Sequence, residues 1–290
     1  MNINAQMVKA LRDITGAGMM DCKKALVETN GDETKAIDYL REKGISKAEK
    51  KSARIAAEGL TNIFIDGNKA VIIEVNSETD FVAKNEDFKN LINIIGNAIL
   101  KSNVVSLEEA NKLMSDQENI ETLIINATAK IGEKISFRRM EVVTKKDDET
   151  FGSYLHMGGK ISSLVVISGP SEIVAKDIAM QAAAMRPKYI SQNDVSSSVI
   201  EHEKEVLRVQ ALEEGKKEDF VDKIILGRLS KFFEEICLLD QTYFKDDTLK
   251  VKDYLKNNDS QVIHMVRYEV GEGMEKRCED FAQEVKSQLS

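Results

Sequence analysis

LTNIFIDGNKAVIIEVNSETDFVAKN, residues 60–85, decides the fold, because the spacing of apolar residues changes within and just after it. Residues 60–66 and 69–75 flank Gly67-Asn68, and Val71, Ile73 and Val75 alternate along the second run. That pattern predicts two antiparallel strands joined by a tight turn. From Phe88 the spacing becomes helical, with Leu91, Ile92, Ile95 and Ile99 on the same face. A hairpin followed by a helix that covers it is the unit of an α+β fold.

Upstream, three short helices are expected in residues 1–50. Asn4 caps the first, with Met7, Ala10, Leu11 and Ile14 inward and Gly16 as its stop. The second runs from about Met20 to Thr29, with Cys22, Ala25 and Leu26 inward. The third carries Ala36, Ile37 and Leu40 and is expected to end with Gly44 at C′. Residues 45–58 form a polar, basic connector, expected to be helical and read as solvated rather than as an RNA contact.

Downstream, Ser106 and Glu109 predict a capping box. A helix with Ile120, Leu123, Ile124, Ala127 and Ile131 stops at Gly132, and the strand ISFRRMEVV follows. The pattern then partly repeats. FGSYLHM and KISSLVVIS flank Gly158-Gly159, and SEIVAKDIAMQAAAM is helical. Phe81-Val82-Ala83-Lys84 echoes as Ile173-Val174-Ala175-Lys176, each just after a hairpin, so an internal duplication is expected. Residues 194–239 predict an antiparallel helical hairpin broken near Gly215. Its first arm carries Val199, Val206, Leu207 and Ala211. Its second carries Phe220, Ile224, Ile225, Leu229, Phe232, Phe233 and Ile236. A short helix near Val251, Tyr254 and Leu255 precedes the strand VIHMVRYEV, expected to rejoin the second sheet. A final helix would align Met274, Cys278, Phe281 and Val285. The expected divisions are 1–50, a core N-subdomain at 55–146, a core C-subdomain at 147–193 and 239–271, the helical hairpin at 194–238, and a C-terminal helical module at 272–290.

Composition narrows the function. A net charge of −8 disfavours gripping nucleic acid by bulk charge, so no direct nucleic acid binding is expected. Cys22, Cys237 and Cys278 lack metal-ligand or C-x-x-C spacing, and the three histidines are scattered. The expectation is reduced, structural thiols in a cytoplasmic protein. No signal-peptide core and no apolar run of ~18 residues is present, so no membrane role is expected. No phosphate-cradling glycine loop and no nucleophile-and-base set announces an enzyme, and no cofactor is expected.

One segment carries a chemical signal. In Ser77-Glu78-Thr79-Asp80-Phe81-Val82-Ala83-Lys84-Asn85 an aromatic stands beside a carboxylate at the opening of a helix. Read from the residues alone, Thr79 or Asp80 caps the helix and Phe81 folds into the core. The other reading makes Phe81 an exposed anchor for a partner's pocket.

TDFVAKN (79–85) is similar to the signature of the elongation factor Ts family. LRDITGAGMMDCKKAL (11–26) resembles that family's amino-terminal module, a three-helix fold like the ubiquitin-associated domain. VRYEVGEGMEKRCEDFAQEV (266–285) resembles its carboxy-terminal module. The resemblance implies a non-enzymatic guanine-nucleotide exchange factor, binding elongation factor Tu in its GDP-bound and nucleotide-free states. It gives Thr79, Asp80, Phe81 and Val82 the task of dislodging Mg²⁺ and distorting the phosphate site. It gives partner contacts to Met19, Met20, Ala83, Lys84, His156, Met274 and Phe281. It leaves self-association open. The alternative is an adaptor or chaperone without exchange activity. Two departures from the family pattern stand out: Thr242 where a proline is expected, which would loosen its loop, and Ser162-Ser163 in the second hairpin, where smaller or more apolar residues are usual.

Overall fold

A computed structural model describes residues 3–115 and 118–275. The chain divides into two compact units, Met1–Val143 with Glu269–Ser290, and Thr144–Tyr268.

The first unit opens with helices α1 (Ala5–Thr15), α2 (Met19–Glu28) and α3 (Glu33–Lys51). Asn4 Oδ1 accepts from the Met7 amide at 2.9 Å, the predicted cap. Val8, Leu11, Cys22, Ala25, Leu26 and Ala36 form the small core of the three helices. Two expectations are corrected here. Ala10 and Ile14 lie exposed, and Val8 takes the inward place on α1. Gly44 does not stop α3, which runs on to Lys51 through much of the expected connector. Gly44 is buried inside the helix, where a Cβ would lie 3.5 Å from that of Ala129. A residue without a side chain lets two helices approach closely, and such a glycine looks in sequence like a C′ residue.

The strands β1 (Glu58–Asp66) and β2 (Lys69–Ser77) pair antiparallel from Glu58 opposite Ser77 to Asp66 opposite Lys69. Next come α4 (Asp80–Lys84), α5 (Glu86–Leu100), α6 (Leu107–Lys112), the two-residue strands β3 (Met114–Ser115) and β4 (Glu118–Asn119), α7 (Ile120–Ile131) and β5 (Ser136–Thr144). The sheet order is β1-β2-β5. Val71, Ile73 and Val75 pack with Phe88, Ile92, Ile95 and Ile99 of α5, as the periodicities require. Gly96 on α5 makes room for the Phe64 ring, with which an added Cβ would collide. β2 is buried from Ala70 to Ser77, on both faces, so alternation described only half of it. The buried carboxylate of Glu74 accepts from Arg138 (2.9 Å), Arg139 (2.5 Å), Asn76 (3.0 Å) and the Gly271 amide (2.8 Å).

The second unit begins with β6 (Glu149–His156) and β7 (Ile161–Ser168), paired antiparallel, and α8 (Glu172–Met185). The helices α9 (Ser197–Glu213) and α10 (Glu218–Ile236) form the predicted hairpin. Leu207 and Ala211 lie inward against Val221, Ile225, Leu229 and Phe233. Phe220, expected inward, is exposed. Arg208–Asp222 and Arg228–Glu214, both 2.6 Å, tie the arms. β8 (Thr242–Tyr243), β9 (Asp246–Lys250), α11 (Val251–Asn257) and β10 (Val262–Glu269) complete the unit, and β10 joins β7 in the order β10-β7-β6. In both sheets the third strand lies beside the second strand of the hairpin.

The Thr242 loop is tied down rather than loosened. Gln181 donates to the Thr242 carbonyl (3.0 Å) and accepts from the Phe244 amide (2.9 Å). Buried Asp177 accepts from Tyr243 (2.8 Å), Tyr254 (3.0 Å) and Lys245 (2.6 Å). Ser162 and Ser163 are both fully buried, and the Ser163 hydroxyl has no hydrogen-bond partner among the described residues. The final helix expected for Cys278, Phe281 and Val285 lies outside the described residues. Among those described, no helix is long and apolar enough to cross a membrane.

Candidate functional site

The loop after β2 is built from its base upward. The Ser77 hydroxyl donates to the Thr79 carbonyl at 2.9 Å, closing the turn that leaves the strand. Thr79 is the N-cap of α4, with extended backbone (φ −125°, ψ 158°), yet its side chain caps nothing. Its amide and hydroxyl both donate to Glu133, at 2.9 and 2.7 Å. Glu78 accepts from the Lys134 amide at 2.6 Å and pairs with Arg54 at 3.3 Å. The α4 helix is a single turn of five residues. Asn85 ends it and caps α5, accepting from the Asp87 amide at 2.8 Å. So short a helix is unstable by itself and is kept by its ties at either end.

The turn sorts its side chains sharply. Val82 (7% exposed) and Ala83 (4%) face inward, and Val82 joins the core around Phe88 and Ile92. Phe81 points out, 77% exposed, which overturns the reading of it as a core residue. Among the described large apolar residues none is more exposed. Leaving a phenylalanine in water forgoes about 1.5–3 kcal/mol that burial would return. Lys84 sits on the outer face, 2.8 Å from the Asp80 carboxylate and 5.5 Å from the centre of the Phe81 ring. A solvent-exposed pair of this kind contributes less than about 1 kcal/mol.

Met19 and Met20 open α2, both exposed, Met20 at 74%. Met274 is half-buried in the turn after β10, its amide donating to the Gly271 carbonyl at 3.0 Å. Phe281 lies outside the described residues. In the second unit, His156 is exposed at the end of β6, its ring 5.9 Å from that of Tyr154. Beside it Met157, at the hairpin tip with φ +50°, is exposed too. Met157 and Glu133 were not among the residues singled out from sequence. The glycine pair after Met157 marks a turn tip and was a usable signal. Nothing near Thr79 in sequence points to Glu133, more than fifty residues further along.

Cys22 and Cys237 are both buried and free. Burial pushes the Cys237 thiol up to about 11, with Asp240 and Asp194 adding to the shift, so it stays protonated and unreactive at neutral pH. Among the described residues no group of three or more His, Cys, Asp or Glu is placed to hold a metal ion.

Comparison with models of protein families matches Elongation factor TS over residues 78–272. The match begins just after β2 and runs from α4 through the second sheet and the helical hairpin, well over half of the chain. On that extent the chain belongs to the elongation factor Ts family, the nucleotide exchange factors of elongation factor Tu in translation elongation.

Proposed function

We propose that residues 79–82 are the segment that acts on the GTPase, with Phe81 as anchor and Asp80 as the charge that disturbs the Mg²⁺ side of the nucleotide site. The exposure of Phe81 carries this reading. A GTPase holds GDP through phosphate contacts and a coordinated Mg²⁺, so a binder that prefers the empty site must weaken both. Phe81 supplies apolar contact to a slot between helices of the partner's G domain. Asp80, once drawn from Lys84, presents a carboxylate to groups that hold a hard cation. By linkage, a factor that weakens GDP binding is weakened by GDP in the same ratio. A thousandfold acceleration needs about 4 kcal/mol of lowered barrier, and one aromatic anchor supplies roughly 2 kcal/mol or more. Met19, Met20, His156, Met274 and Phe281 are assigned the remaining contacts, with Lys84 and Ala83 at the loop itself.

A duplicated core also fits. Thr79-Asp80-Phe81-Val82-Ala83-Lys84 aligns with Ser171-Glu172-Ile173-Val174-Ala175-Lys176. Both stretches open a helix just after a hairpin, bury their Val-Ala pair, and expose the residue before it, Ile173 at 74%. The common sheet order supports the same view.

The test is release of fluorescent GDP from purified elongation factor Tu, beside melting curves. Phe81→Ala should melt like the parent protein and release GDP about tenfold more slowly. Asp80→Ala should slow release at millimolar Mg²⁺ and matter less once the ion is chelated. Parental release from a folded Phe81→Ala protein would falsify the anchor role.

A further inference from the structure

We propose that Glu133 is a positioning residue of the exchange loop: its carboxylate holds Thr79 by two hydrogen bonds and thereby sets where Asp80 and Phe81 point. The proposal rests on the reading of residues 79–82 as the acting segment.

The geometry is a reciprocal clamp between two short stretches. Thr79 donates twice to Glu133, and the neighbouring Glu78 accepts from the Lys134 amide. An ionised carboxylate has two acceptor oxygens and no donor, so it matches an N–H and an O–H presented side by side. A third stretch closes the clamp from beneath, because Lys134 Nζ donates to the carbonyls of Ser52 (2.6 Å) and Arg54 (2.9 Å).

The base is rigid. Gly132 ends α7 at φ +88°, a conformation glycine adopts without strain. Its carbonyl accepts from Lys51 at 2.5 Å, and the Ile135 amide donates to Thr128 at 3.1 Å. Glu133 is therefore held between two fixed residues, and through it Thr79 is held as well.

The aligned stretch in the second unit shows what the clamp replaces. There Ser171 uses its hydroxyl in the ordinary way, accepting from the Val174 amide at 3.3 Å to cap its own helix. At Thr79 the hydroxyl is given instead to Glu133, and α4 has no side-chain cap. The tie to Glu133, just past the end of α7, thus leaves α4 without a side-chain cap and fixes the residue from which the helix starts. Phe81 is two residues beyond Thr79 in the same turn, so a rotation of the chain at Thr79 re-aims its ring. An anchor already aimed need not be ordered at the moment of contact, and that keeps its contact energy for the act on the nucleotide.

The experiment titrates the full-length factor to saturation over elongation factor Tu carrying fluorescent GDP. It reads the maximal release rate separately from the half-saturating concentration. Glu133→Ala should lower the maximal rate about tenfold, the scale of a hydrogen bond to a charged group, with little change in half-saturation or melting. Glu133→Gln should restore most of the rate, since its amide oxygen can accept the Thr79 N–H while its NH₂ donates to the hydroxyl. Hydrogen exchange at the Thr79 amide should quicken in the alanine variant only. A parental maximal rate from Glu133→Ala, with Phe81→Ala slow alongside, overturns the clamp and leaves the loop reading intact. Parental rates from both overturn the loop reading and the clamp with it. Should Glu133→Ala not fold, Glu133→Asp carries the test, because it keeps the charge but withdraws the carboxylate by one methylene. A parental maximal rate from it then overturns the proposal.

Discussion

Ser163 shows at the scale of one residue how a polar group sits where an apolar one would serve. It lies on β7, fully buried, opposite Tyr154, and its hydroxyl has no partner among the described residues. A buried hydroxyl left unpaired costs about 1–3 kcal/mol in lost hydration. Ser163→Ala removes the hydroxyl and keeps the backbone, so it should stabilise the protein by about 1 kcal/mol. Chemical denaturation checks this, and a lower midpoint for the variant would mean that the hydroxyl is satisfied. Phe81 is the opposite case, an apolar group left in water on a turn too short for any periodicity to reveal its direction. Five residues of helix contain no repeat, so sequence spacing could not separate anchor from core, and the family resemblance had to carry that choice.

Elements with clear caps were legible from sequence. The α1 helix shows its start in Asn4, α7 shows its stop in Gly132, and the β1–β2 hairpin shows its turn in Gly67-Asn68. The α3 helix did not, because a glycine flanked by basic, polar residues has the composition of an end. What keeps α3 going is α7, whose Ala129 lies against Gly44, and that neighbour is some eighty residues away. The same limit hid Glu133. Partners distant in sequence leave no local trace in either segment. Gly44 offers a test at this scale. A Cβ there meets Ala129 at ordinary contact distance, so Gly44→Ala should gain helix propensity of up to about 1 kcal/mol without a clash. Gly44→Leu should instead push α3 from α7 and lower the melting temperature. Equal destabilisation by both would show that the helices tolerate no side chain at that crossing.

At the scale of the whole molecule, among the described residues each unit buries one carboxylate at the centre of a donor cluster, Glu74 in the first and Asp177 in the second. Burial by itself would push the Glu74 carboxyl up. The Gly271 amide, Asn76, Arg139 and Arg138 outweigh it, and the group is held below the usual carboxylate range. Asp177 follows the same logic, with burial opposed by Lys245, Tyr243 and Tyr254. A lowered native value means that the unfolded chain binds the proton more readily. The stabilisation is therefore complete above the unfolded value, near 4, and is lost as the pH falls through the lower native one. Glu74→Gln should cost about 3 kcal/mol at neutral pH, because it strips the charge from a buried ion pair. Its deficit against the parent should shrink on acidification, as the parent loses the same contribution. Melting curves from pH 7 down to 3 decide it, and parallel profiles for the two proteins would sink the argument.

The Glu74 cluster also bears on the order in which the protein is made. Three of its donors, Asn76, Arg138 and Arg139, leave the ribosome within the first half of the chain, but the fourth is the amide of Gly271. Gly271 seats so closely on the Ala57 carbonyl that an added Cβ would collide with it. The first unit therefore cannot finish until the whole of Thr144–Tyr268 has been synthesised, an interval on the order of ten seconds. The second unit is continuous in sequence and has no such wait. The unit begun first is completed last, and a nascent chain halted before Gly271 carries in its first sheet a charge that still lacks one of its four donors.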